Sequence, residues 1–352
     1  MGVNGVLVEI LGNVEEVTVD PIPIQEQLLC GGNPAAIRLS FRVTNISEEV
    51  IRIWALAADL RHRVFKSGEA HAKLTMGGEE QYKVIVTMGG IREPENEDAY
   101  LAKPSGMCCL KGSLHEGTPR GEMATIAGVE TYTVAPPKEN ANGHILLYFP
   151  DVWGLFNNGL LIMDGFADDG FLVLGLDYFR GDPVWKHRKD RNDHSNPDFD
   201  YEAWKRKHTA FADEAVPKWV TEVREKYGQP KTKYVCVGYC FGAPYVCDQL
   251  AGDGVVAGAF AHPAFLKEHH FLNLKKPLFL SCAETDHTFN VESRRRAVDI
   301  LIQREQPYQV QLFSGVQHGF ALRGDMHNPY ERYVKEQSLQ GIVKWFEFWL
   351  SQ

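Results

Sequence analysis

The stretch Gly238-Tyr239-Cys240-Phe241-Gly242 decides the fold of this chain. It follows the apolar run Tyr234-Val235-Cys236-Val237 and precedes residues 243–250, which suit a helix. A nucleophile between two glycines at a strand-to-helix turn is the pattern of the α/β-hydrolase elbow, with cysteine where serine usually stands. The turn is sharp and strained, so its flanking positions must carry almost no side chain. Backbone N–H groups at the start of the helix favour a thiolate and, later, an oxyanion.

Two further residues complete a catalytic triad in the expected order. Asp286 ends the apolar run 277–286, and His318 follows a strand predicted over 309–313. Nucleophile, acid and histidine follow one another in this order in α/β-hydrolases. Each falls at the C-terminal end of a predicted strand, and such ends share one edge of a parallel sheet. Taken singly, Asp286 also suits a helix N-cap and His318 a surface turn, but the joint pattern favours catalysis.

Strands and helices alternate through the second part of the chain. This alternation predicts a mostly parallel sheet with helices on both faces, which is an α/β-hydrolase fold over residues 105–352. The predicted strands cover 145–150, 171–179, 234–237, 255–260, 277–286 and 309–313, and the predicted helices cover 201–227, 243–250, 291–305 and 330–350.

Residues 1–104 differ in kind, because short strands with turns between them replace the alternation. Apolar and polar residues alternate over 37–44, the pattern of a half-buried strand. Further strands are predicted over 6–10, 14–19, 50–54, 64–65 and 82–88. This spacing predicts an all-β, immunoglobulin-like sandwich domain. Its role is open between a stabilising or dimerising module and a cap that covers the active-site edge or recruits a partner.

Residues 107–352 resemble the dienelactone hydrolase family. The resemblance rests on the segment CCLKGSLHEGTP at 108–119, the segment HGFALRGD at 318–325 and the closing segment WFEFWL at 345–350, together with the elbow. It is specific to the fungal members in the first two segments. It implies a cysteine-dependent hydrolase of small lactones or activated (enol) esters. No cofactor is expected, and no metal either, because His115 and Glu116 lack a third and fourth ligand at useful spacing.

The resemblance also implies roles for residues around the triad. In the family, an acidic residue after an early strand contacts the thiol and helps to deprotonate it, and here that residue is Asp151. Bacterial members carry glutamate there, and the shorter Asp151 makes direct contact with Cys240 an open point. Backbone N–H groups of Val152 and Phe241 are implied to form the oxyanion hole. An arginine near Arg323 grips a substrate carboxylate in the family, and an ion pair with Asp325 is the alternative for Arg323.

Other candidates for substrate contact come from the surrounding loops. The segment 180–200 is dense in charged residues and leaves the C-terminal end of a predicted strand, so it borders the active site. It is either a lid whose Arg180 binds an anionic group or a solvated loop. Trp153 and Tyr239, next in sequence to the oxyanion-hole candidate Val152 and to Cys240, are the remaining substrate-binding candidates.

Composition excludes several classes of partner. The net charge of −9 and the lack of a long basic run argue against nucleic acid. No apolar stretch approaches the ~20 residues of a membrane span. The seven cysteines show no zinc spacing, so buried thiols in a reducing cytoplasm are expected. A small-molecule substrate, anionic ones included, and a homodimer are the expected partners.

The chemistry follows from the residue types. A free thiol has a pKa near ~8.5, so His318 is needed to take its proton, with Asp286 holding the imidazole. Because a thiolate is also a good leaving group, net hydrolysis requires a substrate whose own leaving group is stabilised, as an enolate is. The alternative function is a non-hydrolytic cyclase, isomerase or binding protein that uses the same pocket in secondary metabolism.

Overall fold

The computed structural model describes backbone and side chains of residues 98–105, 112–188, 193 and 195–352. Of residues 1–97 it describes the backbone of six strands. The chain divides into two compact units, Met1–Glu95 and Asn96–Gln352.

The first unit contains a four-stranded sheet and a separate pair of strands. In the sheet the order is β1-β4-β6-β5, with β4 and β6 parallel and the other pairs antiparallel; β2 pairs with β3. The strands are β1 (Val6–Ile10), β2 (Glu16–Thr18), β3 (Arg42–Thr44), β4 (Ile51–Ala55), β5 (Glu69–Met76) and β6 (Glu79–Met88). Strand β5 was not predicted, and the predicted strand at 64–65 lies outside the described residues. The immunoglobulin-like sandwich stays a prediction.

The second unit is built on an eight-stranded sheet in the order β8-β9-β11-β10-β12-β13-β15-β16. From β11 to β16 all neighbouring strands are parallel, and β8 and β9 form an antiparallel hairpin at one edge. These strands are β8 (Glu122–Ile126), β9 (Val129–Val134), β10 (Ile145–Phe149), β11 (Leu172–Leu176), β12 (Tyr234–Tyr239), β13 (Ala257–Ala261), β15 (Leu278–Thr285) and β16 (Tyr308–Gln317). The two short strands β7 (Tyr100–Ala102) and β14 (Leu266–Lys267) pair separately.

Helices follow the parallel strands. They are α1 (Asn157–Asp168), α2 (Tyr201–Tyr227), α3 (Ala243–Ala251), α4 (Glu268–Leu272), α5 (Val291–Gln303), α6 (Phe320–Arg323) and α7 (Pro329–Leu350). The mostly parallel sheet flanked by helices is confirmed, and α2 has the predicted bounds. Helix α1 was missed. In the described part of the chain, no helix is both long and apolar enough to cross a membrane.

The central strands are buried on both faces, as parallel strands between helices must be. Every residue of β10 and β13 is buried, and β12 is buried from Val235 onward. Cys236, Cys247 and Cys282 are free thiols inside this core. The core therefore holds the C-terminal ends of the central strands rigidly, and the functional loops leave from those ends.

The elbow glycines are required by the close packing of the turn. A Cβ atom on Gly242 would lie 2.1 Å from the carbonyl oxygen of Phe149, at the end of β10. One on Gly238 would lie 2.5 Å from the carbonyl oxygen of Gly242. Both clashes are with backbone, which cannot rotate away as a side chain can. The elbow therefore packs directly on β10 because these two positions have no side chain.

We predict that Gly242→Ala lowers the free energy of unfolding by about 3 kcal/mol or more, because the added methyl forces β10 and the elbow apart. Urea denaturation measures the change. Gly252→Ala is the control, since its Cβ would meet nothing closer than 3.6 Å, and we expect a change within about 0.5 kcal/mol. A Gly242 variant as stable as the Gly252 variant would contradict the packing described.

Candidate active site

Cys240 occupies the strained position of the elbow. Its φ is +48°, in the left-handed region that a non-glycine residue rarely adopts. The side chain is fully buried, and the residue opens a 3₁₀ turn, Cys240–Gly242, that leads directly into α3. The carbonyl of Cys240 accepts a hydrogen bond from the N–H of Ala264 (3.0 Å), which fastens the turn to the loop after β13. Strain held by such surroundings is typical of functional sites.

Asp286 and His318 form a buried hydrogen-bonded pair at the same edge of the sheet. His318 Nδ1 lies 3.0 Å from each carboxylate oxygen of Asp286, and both side chains are almost fully buried. His318 follows β16 directly, and its N–H donates to the carbonyl of Thr285 (3.1 Å) at the end of β15. This bond aligns the two strand ends and so brings imidazole and carboxylate together.

The turn after β15 holds the Asp286 carboxylate. Its Oδ1 accepts hydrogen bonds from the N–H groups of Thr288 (2.9 Å) and Phe289 (3.1 Å) and from the Thr288 hydroxyl (2.7 Å). Burial alone would raise the pKa of Asp286, but the charge and hydrogen bond of His318, together with the Thr288 hydroxyl, hold this pKa well below its ordinary value. Asp286 is therefore a carboxylate suited to orient an imidazole. The helix N-cap is Asn290, which accepts from Ser293 (2.9 Å), so the N-cap alternative for Asp286 is wrong.

Asp151 and Arg323 form a second buried pair beside the elbow. The Arg323 guanidinium donates to Oδ2 of Asp151, and the N–H of Trp153 donates to Oδ1 (2.9 Å). The guanidinium also lies over the Trp153 ring, 5.5 Å from its centroid. The pair is closed from solvent, since Asp151 has 0% and Arg323 3% of its surface exposed. The structure therefore gives Arg323 a buried ion pair with Asp151, whereas the alternative expected from the sequence named Asp325.

The segment Gly112–Ser113, near the start of the second unit, fixes the position of Arg323. The N–H of Ser113 donates to the carbonyl of Arg323 (2.9 Å). The amide of buried Asn158 donates to the carbonyls of Ser113 (2.8 Å) and Leu322 (2.9 Å). A Cβ on Gly112 would lie 2.1 Å from Cβ of Arg323, so only glycine fits at this position of the segment. Helix α6 is thereby locked onto α1, and its arginine is held against Asp151.

The remaining candidates have distinct places. Val152 is buried on the loop after β10, and its carbonyl accepts from the N–H of Val184 (3.1 Å). Phe241 is buried and its ring packs on Tyr178 (5.2 Å between centroids). Tyr239 is buried with its ring on Tyr148 (5.4 Å). None of these contacts tests the predicted roles in the oxyanion hole or in substrate binding.

Arg180 lies apart from the buried pairs. Its side chain is exposed and its guanidinium stacks on the Phe211 ring of α2, 4.3 Å from the centroid. In the adjoining loop, the Asp182 carboxylate contacts three side chains, those of His187 (2.5 Å), Lys207 (2.9 Å) and His208 (3.0 Å). The described part of the 180–200 loop is thus pinned to α2 through its charges. The role of Arg180 in binding an anionic group stays a prediction.

Sequence reasoning missed three buried residues at the site. Tyr178 donates its phenol proton to the carbonyl of Pro150, which ties the loop carrying Asp151 to β11. Thr288 supports Asp286 as described above. His262 follows β13, and its ring meets that of His318 edge to face, with centroids 4.9 Å apart and an angle of 87°. No spacing rule marks Tyr178 and His262, because each acts through a contact distant in sequence, and Thr288 lies in a turn that no motif singled out.

Comparison with known proteins identifies the family of this chain. The sequence profile of the Dienelactone hydrolase family matches residues 129–350. "Dienlactone hydrolase 1" and "Dienlactone hydrolase 2" of Gibberella moniliformis (strain M3125 / FGSC 7600) are 43% and 40% identical to this chain. Each alignment covers 72% of this chain, and 98% and 99% of the respective relative. This chain belongs to the dienelactone hydrolase family.

Solved structures share the fold of this family member. The crystal structure of a dienelactone hydrolase-like promiscuous phosphotriesterase, P91, from metagenomic libraries aligns with a TM-score of 0.50 at 15% identity. The alignment covers 65% of this chain and 98% of that chain. At this identity the likeness shows the fold alone. Family membership makes the protein a hydrolase of ester or lactone bonds.

We predict that Arg323→Met lowers the free energy of unfolding by about 3–5 kcal/mol, because it leaves the Asp151 carboxylate buried without its partner. Urea denaturation measures the loss. The double variant Asp151→Asn/Arg323→Met removes both charges and is expected to recover most of it.

The control is Arg332→Met, which breaks an exposed pair with Glu336 one helical turn away (2.9 Å). Exposed pairs contribute little, so we expect a loss below about 0.5 kcal/mol. Equal losses in the Arg323 and Arg332 variants would contradict the description of Asp151–Arg323 as a buried pair.

Proposed function

We propose that Cys240 is the nucleophile of a Cys240–His318–Asp286 triad that hydrolyses a small lactone or activated ester through a thioester. The observation that carries the proposal is the strained, buried Cys240 at the sheet edge that also holds the Asp286–His318 pair. Strand order supports it, because β12, β15 and β16 are parallel members of one sheet and end at the same edge.

The reaction begins with transfer of the Cys240 thiol proton. His318 uses Nδ1 for Asp286, so Nε2 is the nitrogen that takes this proton. The thiolate attacks the substrate carbonyl, and the backbone N–H groups of Val152 and Phe241 stabilise the oxyanion. His318 then gives its proton to the leaving oxygen. Water, deprotonated by His318, attacks the thioester, and Cys240 departs as thiolate and recovers its proton from the imidazolium.

Asp151 and Arg323 supply a way to activate the thiol only when substrate is present. The charge of the Asp151 carboxylate is neutralised by Arg323 on one oxygen, while the other oxygen accepts from the N–H of Trp153. An anionic substrate group that binds Arg323 competes for its guanidinium and frees the carboxylate beside the elbow. The freed Asp151 then accepts a hydrogen bond from the Cys240 thiol and so helps His318 to remove its proton, in agreement with the role that the family resemblance implies.

The substrate class follows from the nucleophile. The tetrahedral intermediate can expel either the thiolate or the substrate's own leaving group. An enolate or aryloxide leaves readily, whereas a plain alkoxide or amine does not, so activated lactones and enol esters are favoured. Family membership favours hydrolysis over the cyclase, isomerase and binding-protein alternatives, and no contact of the described residues singles out any of these.

We also propose that the region before the hydrolase unit is an immunoglobulin-like β-domain, with a boundary close to residue 104. The strands β1 to β6 support an all-β unit. Its expected role is to stabilise the enzyme or join two copies.

Cys240→Ala is expected to lower kcat/KM for phenyl acetate by about a thousandfold or more, since no thioester can form. Steady-state hydrolysis monitored by phenol release measures the effect. Cys236→Ala, which removes a buried thiol four residues earlier on the strand that leads to the elbow, is the control and should retain at least half of the parent rate. Turnover by Cys240→Ala at the parent rate would rule out covalent catalysis at this residue.

Arg323 is expected to distinguish anionic from neutral substrates. In the Asp151→Asn/Arg323→Met background, kcat/KM for an aryl ester with a free carboxylate should fall at least tenfold more than kcat/KM for its methyl ester. The paired substrates control for any loss of folded enzyme, because such a loss lowers both rates equally. An equal decrease of kcat/KM for both esters would show that Arg323 does not recognise the anionic group of the substrate.

A further inference from the structure

His262 is an unusual histidine at the active-site edge. Its side chain is fully buried, and neither ring nitrogen has a hydrogen-bond partner among the described residues. Its φ is +37°, a conformation that few side chains tolerate and that histidine enters more readily than most. A buried polar group without a partner is costly, and an apolar residue of the same size would avoid that cost. The two nitrogens therefore call for an explanation.

The position of His262 supplies one. It follows β13, which lies between the strand that ends at Cys240 and the strand that leads to Asp286. Its ring meets His318 edge to face at 4.9 Å, and the rings of Tyr239 and Phe320 enclose it at 5.8 Å each. The next loop residues bind the elbow, since the N–H of Ala264 donates to the carbonyl of Cys240. His262 is thus as enclosed as the nucleophile itself and sits against the catalytic imidazole.

We propose that His262 binds the substrate, with a ring nitrogen forming a hydrogen bond to a neutral oxygen, hydroxyl or carbonyl, on the leaving-group side of the scissile bond. This inference rests on the proposed function, in which His318 gives a proton to the leaving oxygen. Substrate atoms close to His318 are then those of the leaving group, and they are the atoms within reach of His262. The reacting site thereby acquires a specificity contact independent of Arg323.

The charge state of His262 decides the kind of group it prefers. Burial, and then the proximity of His318, hold its pKa well below the ordinary value, while Asp286 opposes this shift. His262 is therefore neutral during turnover, with one nitrogen that donates and one that accepts. A hydroxyl satisfies either nitrogen, whereas a carboxylate can use only the donor and gains no ionic attraction.

The test compares 2-hydroxyphenyl acetate with phenyl acetate, which differ by one hydroxyl beside the leaving oxygen. Each kcat/KM is divided by the uncatalysed hydrolysis rate of the same ester. The parent enzyme should prefer the hydroxylated ester by about fivefold, the factor that one neutral hydrogen bond provides. His262→Phe keeps the ring and loses both nitrogens, so its preference should fall to about one. Because phenylalanine enters a positive φ less readily than histidine, the readout is the ratio of the two esters, in which any loss of folded enzyme cancels.

A preference that is equal in the parent and in His262→Phe overturns the proposal, as does a parent that treats the two esters alike. His262→Asn is the second variant, because asparagine accepts a positive φ and keeps hydrogen-bonding groups. The His262→Asn variant should retain a preference of about threefold for the hydroxylated ester. Loss of that preference in His262→Asn also overturns the proposal. Hydrolysis of phenyl acetate by the parent enzyme tests the proposed hydrolase activity by itself. Failure of the proposed function can therefore be distinguished from failure of the role proposed for His262.

Discussion

The contact between the elbow and the end of β10 is the constraint on which the site depends. Gly242 packs so closely on the carbonyl of Phe149 that no side chain fits between them. This contact presses the turn into a conformation in which Cys240 has a positive φ. It also sets the elbow beside the loop that begins with Pro150 and carries Asp151 and Val152. The proposed nucleophile Cys240, its acidic neighbour Asp151 and the oxyanion-hole candidate Val152 are therefore positioned by one close backbone approach.

Two buried charge pairs, Asp286–His318 and Asp151–Arg323, lie near that elbow, and the proposed mechanism gives them different roles. Asp286 is held by the backbone of its own turn and keeps a low pKa, so it can orient His318 through repeated cycles without taking the proton. Asp151 likewise accepts a backbone N–H from its own turn, and its side-chain partner is the cation Arg323. In the proposed mechanism, an anionic substrate group competes for that cation, whereas His318 stays with Asp286 throughout. The neutral His262 adds a third polar group whose partner comes from the substrate.

The sequence predicted the parts of the structure that follow a spacing rule. The elbow, the triad order and the alternation of strands with helices each have such a rule, and Asp286 and His318 lie where it expects them. Helix α1 was missed because its N-cap, Phe156, offers no capping side chain and two glycines interrupt its pattern. For Arg323, the sequence offered a substrate carboxylate or, as the alternative, an ion pair with Asp325 two residues away, and it did not indicate the buried pair with Asp151, which is 172 residues distant. Contacts of this kind, like that of His262 with His318, depend on how the sheet brings loops together, so the local sequence carries no pattern that predicts them.

The central claim is that an acyl group passes through the sulfur of Cys240. It is tested most directly by mixing the enzyme with excess phenyl acetate, quenching in acid during turnover and analysing the digested protein by mass spectrometry. The account predicts an acetyl group on the peptide containing Cys240, formed within the first turnover and lost at the rate of the steady state, with the peptides of Cys236, Cys247 and Cys282 unmodified. An acetyl group on any other residue that forms and decays at the catalytic rate, with Cys240 unmodified, would contradict it.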